Sequence, residues 1–129
     1  MSSLFTKIIN REIPAYIVAE DDNYIAFLDV SPLQKGHTLV IPKNETDFIF
    51  DVKDDELTGL ILFSKQVAKK INASFDCNRV GMSVIGLEVP HAHIHLIPIN
   101  AMEDMMFNNP RLTLSKEDFL EIQSKIVSQ

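Results

Sequence analysis

Residues 89–98 read VPHAHIHLIP, which sets His91, His93 and His95 at alternate positions among apolar residues. A strand repeats every two residues, so the pattern predicts a strand over 90–98 with all three imidazoles on one face. Ala92, Ile94 and Leu96 then point the other way, into a core. The chain holds four histidines, and three of them fall within five residues. Imidazole is a ligand, a proton carrier and a nucleophile near neutral pH, so this strand is expected to carry chemistry.

Outward from that strand, RVGMSVIG at 79–86 is a second β-rich run. AYIVAE at 15–20 and NYIAFLDV at 23–30 flank Asp21-Asp22, a hairpin whose turn the aspartates and Asn23 supply. HTLVIP at 37–42, after Pro32 and Gly36, reads as a further strand ended by Pro42. The period changes over 54–73, where Leu57, Leu60, Ile61, Ser64, Val67, Ala68 and Ile71 recur at three- and four-residue steps. Those steps mark one face of a helix, and Asp54, Asp55 and Glu56 at its start with Lys69 and Lys70 near its end suit the helix dipole. Ser115 with Asp118, ahead of Phe119, Ile122 and Ile126, reads as a capping box opening a C-terminal helix. The sum is an α+β fold: an antiparallel sheet of about five strands with two helices. No repeat, low-complexity tract or linker divides the chain, so 1–129 reads as a single domain. Within 100–113, Met102, Met105, Met106 and Phe107 ahead of Pro110 read as mobile residues covering a core edge, with a substrate or dimer contact as the alternative.

Twelve basic against eighteen acidic side chains leave a net charge of −6. That argues against a nucleic-acid binder built on a broad basic field. It leaves room for a small anion held locally by backbone N–H groups and imidazoles. Cys77 is the one cysteine, so no disulfide forms within the chain and no cysteine cluster can hold zinc. MSSLFTKIINREIP lacks the apolar run of a signal peptide, being interrupted by Lys7, Arg11 and Glu12. No stretch approaches membrane-spanning length. A cytoplasmic protein with no membrane partner is the expectation.

Three chemistries compete for the histidines. Half-buried structural imidazoles would explain one such residue more easily than three in alternation. A metal site is the second reading, since alternating histidines can chelate zinc. Same-face neighbours on a strand lie about 6.5–7 Å apart, however, which hinders convergence of the first and third rings on one ion. The third is nucleophilic catalysis at phosphorus by the central imidazole. A neutral imidazole attacks near pH 7 and leaves readily from a phosphoramidate once protonated, while flanking rings donate to phosphoryl oxygens.

HAHIHLIP resembles the His-x-His-x-His signature of the histidine triad (HIT) family of nucleotide hydrolases and transferases. The likeness extends over LFTKIINREIPAYIVAEDDNYIAFLDVSPLQKGHTLVIPK (residues 4–43), and GLEVPH resembles the family's Gly-Gln-x-Val-x-His lead-in. It covers residues 4–98, with a looser match over the C-terminal segment 99–129. The resemblance implies a HIT-like fold, a homodimer and a purine nucleotide as the small-molecule partner. It implies that His93 takes up a nucleotidyl group, that His91 orients His93 through its backbone carbonyl, and that His95 and His37 complete the polar network around the phosphate. It further implies that Asp29 accepts from the ribose hydroxyls, with Leu4, Phe5, Ile8, Ile13, Phe27 and Val30 forming an apolar base pocket.

Three departures qualify this. Many members carry Cys-x-x-Cys near the N-terminus as half of a zinc site, where this chain has Ser3 and Thr6, and a histidine after IPK is replaced in IPKNET by Glu45. No metal and no cofactor are therefore expected. Leu87 stands where the signature has a glutamine that contacts the phosphate, and the family's asparagine in the preceding strand has no counterpart in RVGMSVIG. The expected function is a purine nucleoside phosphoramidase or adenylyl hydrolase working through a nucleotidyl-histidine. A non-catalytic nucleotide-binding module and a metal-dependent hydrolase are the alternatives. An α-phosphate between two substituents carries one negative charge, so attack there does not inherently require Mg²⁺, unlike terminal phosphoryl transfer.

Overall fold

The computed structural model describes residues 2–129. The elements are α1 (Leu4–Ile9), β1 (Ile17–Glu20), β2 (Tyr24–Leu28), β3 (Thr38–Pro42), α2 (Asp54–Ser74), β4 (Arg79–Ser83), β5 (Ile94–Ile99) and α3 (Lys116–Val127), with 3-10 turns at Ile49–Asp51 and Met102–Met105. The strands form one sheet in the order β1-β2-β3-β5-β4, and every neighbouring pair is antiparallel. No helix among the described residues is long and apolar enough to cross a membrane.

Alternation along the strands builds two cores from one sheet. Tyr24, Ala26 and Leu28 of β2, Val40 of β3, and Ile94 and Leu96 of β5 face α2 and α3, meeting Leu60, Val67, Ile71, Phe119, Ile122 and Ile126. Ile25 and Phe27, with Leu39 and Ile41, face the opposite side, where Phe5 and Ile8 of α1 cover them. Full burial of such side chains contributes about 1.5–3 kcal/mol each, so both faces stabilise the sheet. Leu39 pairs with His95 across the β3–β5 ladder, which puts His95 on the α1 side of the sheet.

Local chemistry explains the boundaries. The Asp21 carboxylate accepts from the N–H groups of Asn23 and Tyr24, closing the β1–β2 hairpin as its composition predicts. The Ser115 hydroxyl accepts from Asp118 N–H and the Asp118 carboxylate accepts from Ser115 N–H, the expected capping box. Gly36 turns the chain into β3 at φ +94°, where a Cβ would fall 2.6 Å from the Phe75 ring. That turn delivers His37 to its buried place.

The structure differs from the sequence expectations in three respects. A third α-helix, α1, precedes the two predicted ones; it is six residues long and too short for periodicity to reveal. Its cap is legible afterwards, since Ser3 Oγ accepts from Thr6 N–H. Strand β5 begins at Ile94, so His91 and His93 lie in the turn that enters it and only His95 is a strand residue. Finally, β2 ends at Leu28, which leaves Asp29 and Val30 in the loop that follows.

Candidate active site

All seven residues expected to hold a nucleoside line one cavity of about 580 Å³: Leu4, Phe5, Ile8, Ile13, Phe27, Asp29 and Val30. His93 and His95 stand at its wall with Leu39, Glu88, Val89 and Arg111. His91 and His37 do not line it; both are buried behind the rings that do. A separate polar hollow between Asp22, Lys43, Lys53 and Glu56 contains no histidine. The apolar cavity, with its few convergent polar groups, has the make-up of a small-molecule site.

Hydrogen-bond directions assign a proton to each ring. His93 Nδ1 lies 2.7 Å from the His91 carbonyl, which can only accept, so Nδ1 carries the hydrogen and Nε2 keeps its lone pair. The His93 ring stands edge-to-face with Phe5 at 5.1 Å and with His95 at 4.9 Å. His37 Nδ1 accepts from Leu33 N–H at 3.0 Å, so its hydrogen sits on Nε2 and donates to His95 Nδ1, also at 3.0 Å. His95 is thereby left with N–H at Nε2, a donor supplied on the cavity wall. One backbone amide thus sets the tautomers of two imidazoles in series.

Burial keeps the His37 and His95 rings neutral. It pushes the His37 imidazolium down to about 3 and that of His95 to about 4, with neighbouring histidines and Arg111 adding to the shift in each case. His91 is lowered for the same first cause. Asp29 is raised by burial, against the opposing pull of the Ser31 N–H and of Arg111. Its Oδ1 accepts from Ser31 N–H at 2.8 Å, an ordinary turn contact. Its Oδ2 lies 3.6 Å from His37 Nε2 and 3.9 Å from the Arg111 guanidinium. Asp29 therefore serves the turn with one oxygen and the site with the other.

The C-terminal segment reaches the histidines as well. Phe107, expected at a core edge, packs edge-on to His95 at 4.7 Å, and the Arg111 guanidinium lies 5.8 Å from the Phe107 ring centre. Arg111 also donates to the Ser31 carbonyl at 2.7 Å. Contacts of this range leave no local spacing in a sequence; the cluster of apolar residues before Pro110 was the one visible signal. Leu87 is 88 % exposed and lines a smaller hollow beside His93, His95 and Phe107.

Two places bear on metal. Asp29, His37 and His95 present ligand atoms within 4.8 Å of one another. The facing nitrogens of the two rings already share a hydrogen bond, so an ion would have to displace that proton. Where the resemblance places zinc in other members, Ser3, Thr6 and Glu45 offer two neutral hydroxyls and a carboxylate, with the His91 imidazole beside them. Structural zinc takes thiolates and imidazoles, and here the donors are already engaged with one another. The residues present do not fit a structural zinc.

Comparison with known proteins bears on the family and the fold. A family model described as the HIT domain matches residues 10–102. An uncharacterized HIT-like protein of Methanocaldococcus jannaschii is 46% identical over 102 residues, covering 74% of this chain and 77% of that protein. An adenosine 5'-monophosphoramidase of Saccharomyces cerevisiae is 35% identical over 96 residues, covering 74% of this chain and 61% of that protein. Among solved structures, a Hit-like protein of Bartonella henselae superposes with a TM-score of 0.86 at 31% identity, covering 98% of this chain and 95% of the other.

Proposed function

The chain belongs to the HIT family, and from that premise we propose that it is a purine-nucleotide hydrolase acting at an α-phosphorus, a nucleoside phosphoramidase or adenylyl hydrolase. The observation that carries this reading is the 2.7 Å hydrogen bond from His93 Nδ1–H to the His91 carbonyl, because it leaves Nε2 as a free nucleophile beside a nucleoside-sized cavity. The relatives named adenosine 5'-monophosphoramidase, from Saccharomyces cerevisiae and Schizosaccharomyces pombe, support the same substrate class.

In the proposed reaction the base lies against Phe5, Ile8 and Phe27, and Asp29 Oδ2 accepts from the ribose hydroxyls. His93 Nε2 forms a bond to the α-phosphorus while the bond from phosphorus to the leaving amine or oxygen breaks. His95 Nε2–H donates a hydrogen bond to a phosphoryl oxygen as charge develops there. With its imidazolium held near pH 4, His95 is a neutral donor and not a proton source at pH 7. The leaving group takes its proton from solvent at the open side of the cavity. Nucleotidylated His93 keeps Nδ1–H on the His91 carbonyl; water then forms a bond to phosphorus and gives its proton to solvent as the Nε2–P bond breaks, which frees the imidazole and the nucleoside monophosphate.

Leu87 favours a second reading, a nucleotide-binding module with little turnover, since an exposed leucine offers the phosphate no donor. Incubation with an adenosine phosphoramidate in EDTA, followed by mass spectrometry, separates them. AMP release with a transient adduct on His93 supports the hydrolase; AMP binding without release or adduct supports the module. Homodimer formation is part of the same proposal, favoured by the unpaired outer edge of β4 with exposed Met82 and Val84 and Ile85 just beyond it. Sedimentation at monomer mass would refute it.

A further inference from the structure

We propose that Ser3, Thr6 and Glu45 form a positioning bracket that holds the His91 ring in one pose, and through the His91 carbonyl aims His93. The kinetic consequence rests on the reading of His93 as nucleophile; the hydrogen bonds themselves do not.

His91 is fully buried, and both ring nitrogens are gripped. Nε2 lies 2.8 Å from the Pro42 carbonyl, which can only accept, so the ring hydrogen is on Nε2. Nδ1 is then bare and accepts from the Ser3 hydroxyl at 2.8 Å. That hydroxyl is itself oriented, because its oxygen receives Thr6 N–H at 3.0 Å. Glu45 closes the bracket: Oε1 lies 2.6 Å from Ser3 N and 2.6 Å from Thr6 Oγ1, tying the first turn of α1 to the segment just after β3. These bonds hold the Glu45 carboxyl down to about 2, so it is ionised throughout the neutral range.

The ring is therefore clamped between two separate pieces of chain, with Pro42 on one edge and Ser3 on the other. Where zinc does not fit, a carboxylate and two hydroxyls do the orienting. Removal of the Ser3 hydroxyl leaves a buried ring nitrogen without its donor. The ring keeps its Nε2–H on the Pro42 carbonyl but loses its second anchor, so it can tilt about that one bond, and the carbonyl that receives His93 Nδ1–H shifts with it. Displacing a nucleophile by about 1 Å costs on the order of a hundredfold in rate. Neither Ser3, Thr6 nor Glu45 lines the nucleoside cavity, so the loss should fall on kcat and spare binding.

The test combines ¹⁵N-histidine NMR with steady-state kinetics on an adenosine phosphoramidate. Wild type is expected to show His91 as the Nε2–H form and His93 as the Nδ1–H form. Ser3→Ala should broaden or shift both sets of resonances and lower kcat roughly ten- to a hundredfold, with KM and AMP affinity within about threefold. Ser3→Thr, which keeps the hydroxyl, should recover most of kcat. Thr6→Val and Glu45→Gln should move the same resonances by less, and they decide the matter by the same readouts should Ser3→Ala fail to fold. Folded Ser3→Ala, or folded Thr6→Val and Glu45→Gln together, with His93 resonances and kcat unchanged would overturn the bracket. Wild type that shows the tautomers, with the resonance changes in the variants, yet hydrolyses nothing, would support the bracket and overturn the proposed function.

Discussion

Restoring an amide at Leu87 gives the sharpest separation between binding and turnover. The side chain is 88 % exposed and stands at the hollow shared by Gly86, His93, His95 and Phe107. Leu87→Gln therefore buries no polar group, and its stability change should stay within about 0.5 kcal/mol, as for other surface substitutions. A preorganised donor in a water-excluded site is worth about 2.7–4 kcal/mol in the transition state. The exposure of Leu87 argues for less, close to an ordinary hydrogen bond to a charged group, about 1.5 kcal/mol. Since 1.36 kcal/mol is a factor of ten in rate, kcat should rise about tenfold. The bond strengthens as charge develops on phosphorus, so KM should change little. Steady-state kinetics on an adenosine phosphoramidate, beside a thermal melt of both proteins, measures each part. A stably folded variant with unchanged kcat would refute the reasoning and show that His95 alone supplies the donor the phosphate needs.

His93→Ala should abolish turnover while calorimetric AMP affinity stays within about tenfold, because base and ribose contacts act equally in ground and transition states; near-normal kcat would reject covalent catalysis. Asp29→Ala should weaken AMP by tens-fold, at about 1–3 kcal/mol for each charged hydrogen bond lost, and 2'-deoxy-AMP should bind wild type less well than AMP; equal affinities for the two nucleotides would remove Asp29 from the ribose. Stability should fall between pH 6.5 and 5. Above 6.5 the rings of His37 and His95 are neutral in both states, whereas below it the unfolded chain takes up protons that the folded rings, at about 3 and 4, refuse. The loss is of the order of 2 kcal/mol for each ring by pH 5. Asp29, raised by burial, opposes the trend because there the folded state takes the proton first. Thermal melts at the two pH values check this, and an unchanged Tm would contradict it.

What the sequence discloses follows from the range of each interaction. Period two in NYIAFLDV and HTLVIP foretells which residues face which core, and the structure divides Ala26 from Phe27 and Val40 from Leu39 accordingly. The helix face of 54–73 is legible because its stripe, Leu57 to Ile71, lasts about four turns; α1, at six residues, gives periodicity nothing to work on. The same alternation misleads at VPHAHIHLIP. It sorts buried Ala92 and Ile94 from the histidines, but the strand starts only at Ile94, and His93 takes its pose from a hydrogen bond to the His91 backbone. Phe107 and Arg111 were invisible as site residues because their partners are some seventy to eighty positions distant in the chain or reached through packing alone.

Helix α1 is a part with two duties on opposite sides. Leu4, Phe5 and Ile8 wall the cavity, while Ser3 at its cap and Thr6 in its first turn hold His91. Six residues cannot sustain a helix in water, so α1 keeps its shape only while docked on the sheet. Undocking is then a single local event that, on the proposed function, dissolves the nucleoside wall and releases the support of His93 together. A nucleotide touching Leu4, Phe5 and Ile8 weights the docked state, and by linkage stiffens the histidine it is about to meet. Amide exchange across 4–9 should accordingly slow on AMP binding far more than exchange in the middle of α2, with occupancy of the site and order of the nucleophile rising as one quantity.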